Sequence, residues 1–493
     1  FMGYKTVEEV NAKLPYGKDR YKMTAEELAV RVRNRINQAS FAVWGKDNAL
    51  QKAKCMEKYK PLIFAEAKKN GITPERLYGL LFVESFCDPK VVNPKSGAAG
   101  IGQIMLDVGC EQKLVMSESF CKMVRANPNL LHIPKNLNIE DRRLIPEYAI
   151  PVTAAIIGKA KNYWGDENWG FVEYHMGVGN MRVLLMHYFD ETNSGWRKKY
   201  ASSFSQVADR DRVIPTEIAR TGVTYDDIFF RCTPERTPKT YAKLREMKDD
   251  SKTYVYTGLA ATEGFNLMWS DETSFRDMIT KQMDPDGGTA NRPMRVWWGD
   301  KLAKYETLSD IIAARGSGEL LPVESNPAMG YNLRKKGDDR IGECDPGREA
   351  EYYYTRKANI GAMFLLFSRT KDAGADQSLE VTGLIRTNEM YDKPINKSGR
   401  GCLPKTQPRT HVIGSAFDIG ANINGAPMSK KTRAALEFVI MDLMTDGIID
   451  RIKEGTADHI AYNPAWEKKL EEFYDQVMQG YSPLVKSELI ARK

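Results

Sequence analysis

The chain has 493 residues, of which 42% are hydrophobic and 10% aromatic, so it can form several hydrophobic cores and is too long for one ordinary domain. Its 72 basic and 65 acidic residues are interspersed, with a net charge of +7, and there is no zinc-finger spacing, basic helix or aromatic-basic repeat; nucleic acid is therefore not expected as a partner. No apolar run approaches the roughly 18 residues of a membrane-spanning helix, and the opening FMGYKTVEEV lacks the apolar core of a signal peptide, so no integral membrane segment is expected.

Composition and helical patterning divide the chain into four segments. Residues 1–60 read as a charged helical extension, and residues 61–204 continue as mainly helical structure. Residues 205–345 alternate helical pieces with loops rich in Pro, Gly and Asp, as in a helical linker. Residues 346–493 combine a long helix from about 348, the strand-like runs SLEVTGLIRT and AFDIGANI, and helices near 431–446 and 464–478. The expected fold class is therefore multidomain, mainly α at the N-terminus and α+β at the C-terminus.

The seven cysteines lie at positions 55, 87, 110, 121, 232, 344 and 402, and no two of them have the C-x-x-C spacing. Neither a zinc ribbon nor a thioredoxin-type site is indicated. The four cysteines in the first quarter of the chain are candidates for one or two disulfides. Because the total is odd, at least one thiol stays unpaired within a monomer.

A carboxylate on the apolar stripe of a helix is the first candidate functional group. The stretch LLFVESFCDP belongs to a helix that Thr73 can cap, that has Pro74 in its first turn and that Asp88-Pro89 ends. Helical spacing places four residues on the face that points to the core, namely Leu77, Leu80, Leu81 and Glu84. Near a helix C-terminus, the dipole and burial both raise a carboxyl pKa and favour the protonated acid. The alternative is a salt-bridged glutamate on a slightly rotated helix.

Two glycine-bearing segments follow Glu84. In NPKSGAAGIGQIM the glycines allow the backbone to turn sharply and to approach a ligand, and Gln103 supplies an amide. About 70 residues later, EYHMGVGNM places Tyr174 before a second pair of glycines. Taken singly, a glycine-rich turn is usually only a turn and a tyrosine is usually only packing. Their order and spacing are more specific.

Taken together, Glu84-Ser85, SGAAGIGQIM and EYHMGVGNM resemble the soluble lytic transglycosylase domain over roughly residues 60 to 190. The resemblance implies a lysozyme-like, mainly helical fold that needs no cofactor and cleaves the MurNAc-GlcNAc bond of peptidoglycan. It implies that Glu84 is the general acid/base and that the substrate-binding residues are Ser85, Gly100, Gly102, Gln103, Tyr174 and His175. The chain departs from the family pattern at Ile101-Gly102, where Leu-Met is usual, and at His175, where asparagine is usual.

The apparent single carboxylate bears on the reaction type. Glycosidases normally use two carboxylates, and no partner acid is evident, although Asp88 and Asp107 are near Glu84 in the sequence. A transglycosylase manages with one, because the 6-hydroxyl of the muramic sugar attacks its own anomeric carbon and gives a 1,6-anhydro product. This favours lytic transglycosylation over lysozyme-type hydrolysis, which remains the alternative.

Two of the five histidines lie in one patterned region near the C-terminus. RTHVIGSAFDIG contains His411 and Asp418, and TADHIAYNP contains His459. Two histidines and a carboxylate form a common zinc-ligand set that leaves a fourth position for water. On spacing alone, surface histidines unrelated to metal are the alternative.

The flanking residues over 375 to 465 resemble zinc peptidases of the D-alanyl-D-alanine carboxypeptidase type, whose signature is Ser-x-His-x-x-Gly-x-Ala-x-Asp-Ile. The resemblance implies Zn²⁺ bound by His411, Asp418 and His459, with Arg386 stabilising the substrate in stem-peptide cleavage. The family often has a glutamate three residues before the last histidine, where this chain has Thr456. Zinc binding is therefore a firmer prediction than peptidase activity.

Both resemblances point to peptidoglycan, so the sequence predicts a bifunctional murein-degrading enzyme that acts in the periplasm, outside the cell or elsewhere in the cell envelope. Components of a cell-envelope machinery are further candidate partners. The alternative from another class is a non-catalytic wall-binding or scaffold protein with a degenerate C-terminal site.

Overall fold

The described residues form two compact units, one within residues 23–283 and the other within residues 293–479. A computed structural model describes residues 23–46, 48–127, 129–200, 207–233, 236–247, 250–283, 293–298, 304–334, 345, 347–392, 409–454 and 457–479. Among the helices of these residues, none is long and apolar enough to cross a membrane.

The first unit is helical. Its α-helices are α1 (Ala25–Trp44), α2 (Ala49–Met56), α3 (Lys60–Lys69), α4 (Pro74–Ser85), α5 (Leu106–Glu111), α6 (Glu118–Ala126), α7 (Pro146–Trp164), α8 (Glu167–Met176), α9 (Val178–Thr192), α10 (Trp196–Lys199), α11 (Val207–Thr221), α12 (Tyr225–Arg231), α13 (Pro238–Glu246), α14 (Tyr254–Ser270) and α15 (Glu272–Met283). Short 3₁₀ helices lie at Glu57–Tyr59, Arg142–Leu144 and Asp250–Thr253.

Helix α14 is buried on most sides and packs against α1 and α4. An aromatic cluster joins the three helices: the ring of Trp44 lies 5.1 Å from that of Phe82, and Phe265 lies 4.5 Å from Tyr78. A helix as apolar as α14 needs packing partners on all sides. Residues from the segments 1–60, 61–204 and 205–345 therefore share one hydrophobic core. The boundaries at 60/61 and 204/205 therefore fall inside a single compact unit, and the described part of 205–345 belongs to two units.

The two disulfides of the first unit join Cys55 to Cys87 and Cys110 to Cys121. The expectation of one or two bridges among the first four cysteines is confirmed. The bridge to Cys87 connects α2 to the segment that follows α4. Cys344 and Cys402 lie outside the described residues.

The second unit is α+β, as expected. Its α-helices are α16 (Pro293–Trp298), α17 (Leu308–Gly316), α18 (Lys357–Asp372), α19 (Glu389–Asp392), α20 (Lys430–Thr445) and α21 (Glu467–Gln479). Its strands are β1 (Leu320–Pro322), β2 (Tyr331–Leu333), β3 (Tyr354–Arg356), β4 (Leu379–Gly383), β5 (Ala416–Gly420), β6 (Asn422–Ile423), β7 (Ala426–Pro427), β8 (Ile449–Glu454) and β9 (Ala457–Tyr462). Further 3₁₀ helices lie at Pro327–Met329, Glu349–Tyr352, Arg409–Ile413 and Pro464–Trp466.

A five-stranded sheet with the order β2-β4-β5-β9-β8 forms the centre of this unit, and two short pairs, β1-β3 and β6-β7, lie beside it. The pair β2-β4 is parallel and the other pairs of the sheet are antiparallel. Helix α18 packs on α20 and α21 and is buried along most of its length. The helix expected from about 348 begins only at Lys357, because the residues just before it form β3, which pairs with β1.

Candidate active site and candidate metal centre

Helix α4 places Glu84 in its last turn. Leu77, Leu80 and Leu81 are buried as predicted, but Tyr78, Gly79 and Phe82 are buried as well, so this part of the helix is enclosed on all sides and has no single apolar stripe. Thr73 does not cap the helix: its backbone N–H and its hydroxyl donate to the carboxylate of Glu167 at 2.7 and 2.9 Å. The cap expected from the sequence is therefore wrong, because a distant carboxylate takes the hydroxyl.

The helix ends immediately after the candidate acid. It stops at Ser85, and the next two residues, Phe86 and Cys87, have φ angles of 46° and 62°. Two successive non-glycine residues in the left-handed region are uncommon and need support from their surroundings. The disulfide of Cys87 supplies a covalent part of that support. The chain thus leaves the helix before Asp88-Pro89.

Glu84 is half-buried and hydrogen-bonded to a tyrosine from another helix. The Tyr254 hydroxyl donates to Oε1 of Glu84, and Tyr254 is only 3% exposed. Burial raises the pKa of Glu84 to about 7, and the hydrogen bond from Tyr254 partly opposes this rise. A carboxyl group with this pKa can donate and accept a proton near neutral pH.

The glycine loop (residues 97–103) faces other backbone segments closely. A Cβ at Gly97 would lie 1.8 Å from the carbonyl oxygen of Leu131, and one at Gly100 would lie 1.7 Å from that of Arg143. Both glycines also have positive φ angles, 72° and 77°. The buried guanidinium of Arg143 donates to the carbonyls of Gly97 and Ile104, each at 2.9 Å. These contacts fix the loop in one conformation.

Tyr174 on α8 is tied to the same loop. Its hydroxyl donates to the carbonyl of Gly102 and lies 3.3 Å from the hydroxyl of Thr153 on α7. A Cβ at Gly102 would lie 2.2 Å from that Thr153 oxygen, so glycine is required for this approach. Burial, and then the negative charge of Glu84, raise the pKa of Tyr174. Glu84, the loop and Tyr174 are thus brought together as the sequence predicts.

Two other predicted residues make internal hydrogen bonds. The hydroxyl of buried Ser85 donates to the carbonyl of Leu81 at 3.1 Å. The side-chain amide of Gln103 donates to the carbonyls of Gly100 and Val91 at 3.0 and 3.3 Å. In the structure these donors hold the end of α4 and the glycine loop, and their predicted contacts with sugar remain predictions.

Tyr254 was not predicted from the sequence. It is 170 residues from Glu84 along the chain, in the segment where the sequence indicates no chemistry. Its ring also contacts His175, with the ring centroids 4.1 Å apart and the planes tilted by 32°. The run TYVYTGLA carries no spacing that links it to Glu84, so only the three-dimensional structure reveals this contact.

Residues 61–183 match the family model of the Transglycosylase SLT domain. The match spans Glu84, the glycine loop, Tyr174 and His175, and it supports the lysozyme-like transglycosylase resemblance with peptidoglycan as the family-level substrate. Tyr254 lies beyond the match, although it belongs to the same compact unit. Comparisons with curated proteins and with solved structures gave no match. The SLT match does not extend to the second unit.

The sheet of the second unit places a carboxylate opposite a histidine. Asp418 on β5 pairs in register with His459 on β9, and His411 reaches them from the 3₁₀ helix Arg409–Ile413. Oδ1 of Asp418 lies 3.0 Å from Nε2 of His411 and 2.8 Å from Nδ1 of His459. All three side chains are buried, and their ligand atoms lie within 4.8 Å of one another. The residues predicted as metal ligands therefore form one cluster.

The second nitrogen of each imidazole has its own partner. Nδ1 of His411 is hydrogen-bonded to the carbonyl of Leu384, and Nε2 of His459 lies 2.7 Å from the hydroxyl of Thr410. Such contacts fix the ring orientation in metal sites, leaving the other nitrogen for the ion. Two imidazoles and one carboxylate form a donor set that could hold a metal ion, zinc included.

Arg386 contacts the carboxylate of the cluster. Its Nη2 donates to Oδ2 of Asp418 at 2.7 Å, and a Cβ at Gly383 would lie 2.5 Å from that oxygen, so glycine leaves room for the ion pair. Burial alone would raise the pKa of Asp418, but His411 and Arg386 hold it well below its usual range. Burial, and then Arg386, lower the pKa of His411 to about 4. A neutral imidazole beside an ionised carboxylate is the protonation state that metal binding requires.

Two features of the predicted peptidase site concern Arg386 and Thr456. Arg386 is predicted to contact substrate, and its guanidinium donates a hydrogen bond to Asp418. Thr456, the residue at the position of the family glutamate, lies outside the described residues. The predicted role of Arg386 and the peptidase activity therefore remain predictions.

Proposed function

We propose that the first unit cleaves the glycan strand of peptidoglycan by lytic transglycosylation, with Glu84 as the general acid and base. The observation that carries the proposal is the half-buried carboxyl group of Glu84, whose pKa is raised to about 7, inside a region that matches the SLT domain. The substrate implies action in the cell envelope.

The proposed reaction needs one carboxyl group. Protonated Glu84 donates its proton to the glycosidic oxygen as the bond from C1 of the muramic sugar breaks. The resulting carboxylate accepts the proton of the 6-hydroxyl of the same sugar, whose oxygen bonds to C1. Glu84 returns to its starting state and no water is consumed. Tyr254 would stabilise the carboxylate between the two steps by its hydrogen bond.

Digestion of purified sacculi tests this proposal. The full chain should release 1,6-anhydro-muropeptides, detected by mass spectrometry, and Glu84→Gln should lower their release by roughly 10²- to 10⁴-fold, because general acid–base catalysis contributes about that much. Reducing muramic ends in place of anhydro ends would assign lysozyme-type hydrolysis instead. An unimpaired Glu84→Gln variant would remove Glu84 from the mechanism.

We also propose that the second unit binds one Zn²⁺ through His411, Asp418 and His459 and cleaves stem peptides. The buried cluster of two imidazoles and one carboxylate supports it. When bound, zinc supplies Lewis-acid chemistry for the attack of water on an amide carbonyl. In this proposal Leu384 and Thr410 orient the imidazoles, and Arg386 holds the second oxygen of Asp418.

Metal analysis and peptide digestion test the second proposal separately. The folded chain should contain one zinc, His411→Ala should lose it, and a chelator should abolish release of stem-peptide fragments. A folded chain that takes up no zinc would contradict the proposal. Zinc uptake without any peptide cleavage would favour the scaffold alternative for this unit.

A further inference from the structure

His175 contacts the tyrosine that is hydrogen-bonded to Glu84. It is the penultimate residue of α8, directly after Tyr174, and its half-buried ring lies 4.1 Å from the ring of Tyr254. Tyr254 is the first residue of α14, so the contact joins the end of one helix to the start of another. The tilt of 32° between the rings is small enough for the two faces to overlap in part.

The orientation of the Tyr254 ring decides whether its hydroxyl reaches Glu84. The ring stands on the first turn of α14, preceded by a 3₁₀ turn, and Thr253 at the helix start provides no side-chain cap. A residue at such a terminus is less constrained by its own helix than one in the middle. The flat imidazole of His175 therefore restricts the Tyr254 ring at a position where the backbone constrains that ring least.

We propose that His175 is a positioning residue that acts through Tyr254, because its imidazole holds the phenol ring in the orientation that donates a hydrogen bond to Glu84. The proposal rests on the proposed glycan-cleaving function of this site. It assigns His175 a role that an asparagine cannot perform, since asparagine has no ring to place against Tyr254. The planarity of the imidazole is the required property, and its charge is not.

The proposal predicts a shift in the ionisation of Glu84. Tyr254 from α14 and Tyr174 from α8 both interact electrostatically with Glu84. The hydrogen bond from Tyr254 lowers the pKa of Glu84, so a displaced Tyr254 ring leaves that pKa higher. The pH above which glycan cleavage declines should therefore rise when His175 loses its ring.

A double-mutant cycle on the full chain tests the proposal. The rate of anhydro-product release from soluble glycan strands is measured against pH for wild type, His175→Ala, His175→Phe, Tyr254→Phe and the double variant His175→Ala/Tyr254→Phe. We expect His175→Ala to lower kcat about tenfold, part of a general acid–base contribution, with KM unchanged and the decline moved to higher pH. His175→Phe should recover most of the rate that His175→Ala loses, because it restores a ring against Tyr254. In the Tyr254→Phe background, His175→Ala should cause no further decrease in kcat and no further shift of the pH profile.

Several results would overturn the proposal. Full additivity of the two substitutions, or a His175→Phe variant as slow as His175→Ala, would show that His175 does not act through ring contact. A change in KM alone would make it a sugar-binding residue. His187→Ala in α9 serves as the matched control for loss of a histidine, and thermal unfolding confirms that each variant folds.

A second measurement separates this proposal from the proposed function. The pKa of Glu84 is measured by NMR on ¹³C-carboxyl-labelled protein, with Glu84→Gln identifying the resonance. It should rise in both His175→Ala and Tyr254→Phe whether or not the protein cleaves glycan. An unchanged Glu84 pKa in His175→Ala would end the positioning proposal. Wild type that releases no anhydro product would end the proposed function alone.

Discussion

At the scale of single residues, Glu84 makes the stability of the fold depend on pH. Burial raises its pKa to about 7 in the folded chain, from an ordinary value of 4.5. Between these values the folded chain keeps a proton that the unfolded chain has lost, so the free energy of unfolding falls as pH rises through this window. The group favoured for catalysis therefore destabilises the folded protein in its ionised form.

Substituting Glu84 by glutamine should remove this dependence. A shift of about 2.5 pKa units corresponds to about 3 kcal/mol, so Glu84→Gln should gain up to about that much stability over wild type at pH 8 relative to pH 4. Denaturant unfolding at the two pH values measures the difference. At pH 4 most wild-type molecules carry the proton on Glu84 whether they are folded or unfolded, so that pH is the internal reference. Equal gains at both pH values would contradict the raised pKa.

Thr410 provides the residue-scale test of the metal centre. Its hydroxyl lies 2.7 Å from Nε2 of His459, whose Nδ1 faces Asp418. Thr410→Val keeps the shape but removes the hydrogen bond, and partners of this kind typically contribute about tenfold to a hundredfold in metal affinity. Competition with a chelating dye should show that loss for zinc, while Thr410→Ser should retain most of the affinity. Equal affinities in all three proteins would show that Thr410 does not orient His459.

At the scale of elements, α4 was largely predictable from its own sequence. Proline in the first turn and the spacing of leucines located the helix, and Leu77, Leu80 and Leu81 are buried as predicted. The contact of Thr73 with Glu167 was not predictable, because it depends on α8, 94 residues away. The same holds for Tyr254, whose partner is remote. Local pattern predicts which face a residue occupies, whereas long-range packing determines what it meets there.

The strands show a similar limit. AFDIGANI was predicted as a strand, and its residues Ala416–Gly420 form β5. TADHIAYNP was interpreted only as a source of a metal ligand, although its residues Ala457–Tyr462 form β9 beside β5. The pairing of Asp418 with His459 is a consequence of sheet register, which no short window of sequence specifies. The three candidate ligands could nevertheless be chosen from the sequence, because their residue types were informative without knowledge of the register.

The contact between the glycine loop and α7 makes an element-scale prediction. Gly102→Ala would place a methyl group 2.2 Å from the Thr153 hydroxyl and 3.2 Å from that of Tyr174. Overpacking of this kind costs about 1–3 kcal/mol, so the variant should unfold at lower denaturant concentration and release less anhydro product. Adding Thr153→Ala removes the closest atom and should recover part of both losses. No recovery in the double variant would place the strain elsewhere.

At the scale of the whole molecule, the two units have separate hydrophobic cores and separate candidate sites. Segment boundaries were less predictable than segment types. The sequence pattern of residues 207–283 indicates helices, but it is the same for a linker between domains as for helices that complete a domain. Their role in the first core appears only when α14 is seen against α1 and α4.

Separate cores predict separable activities in the intact chain. A chelator should abolish release of stem-peptide fragments and leave release of anhydro-muropeptides unchanged. Glu84→Gln should do the reverse and keep one zinc per chain. Mass spectrometry of one sacculus digest reads both products, so each treatment serves as the control for the other. Loss of both products under either treatment would show that the sites are coupled.

The bridge from Cys55 to Cys87 closes three residues after Glu84, so the end of α4 is tethered by a covalent bond that forms and persists in oxidising surroundings. A chain held among reducing thiols lacks this tether, and we expect dithiothreitol to slow glycan cleavage by the purified protein and reoxidation to restore it. On this expectation, a chain made where thiols are kept reduced cleaves glycan more slowly until an oxidant closes the bridge.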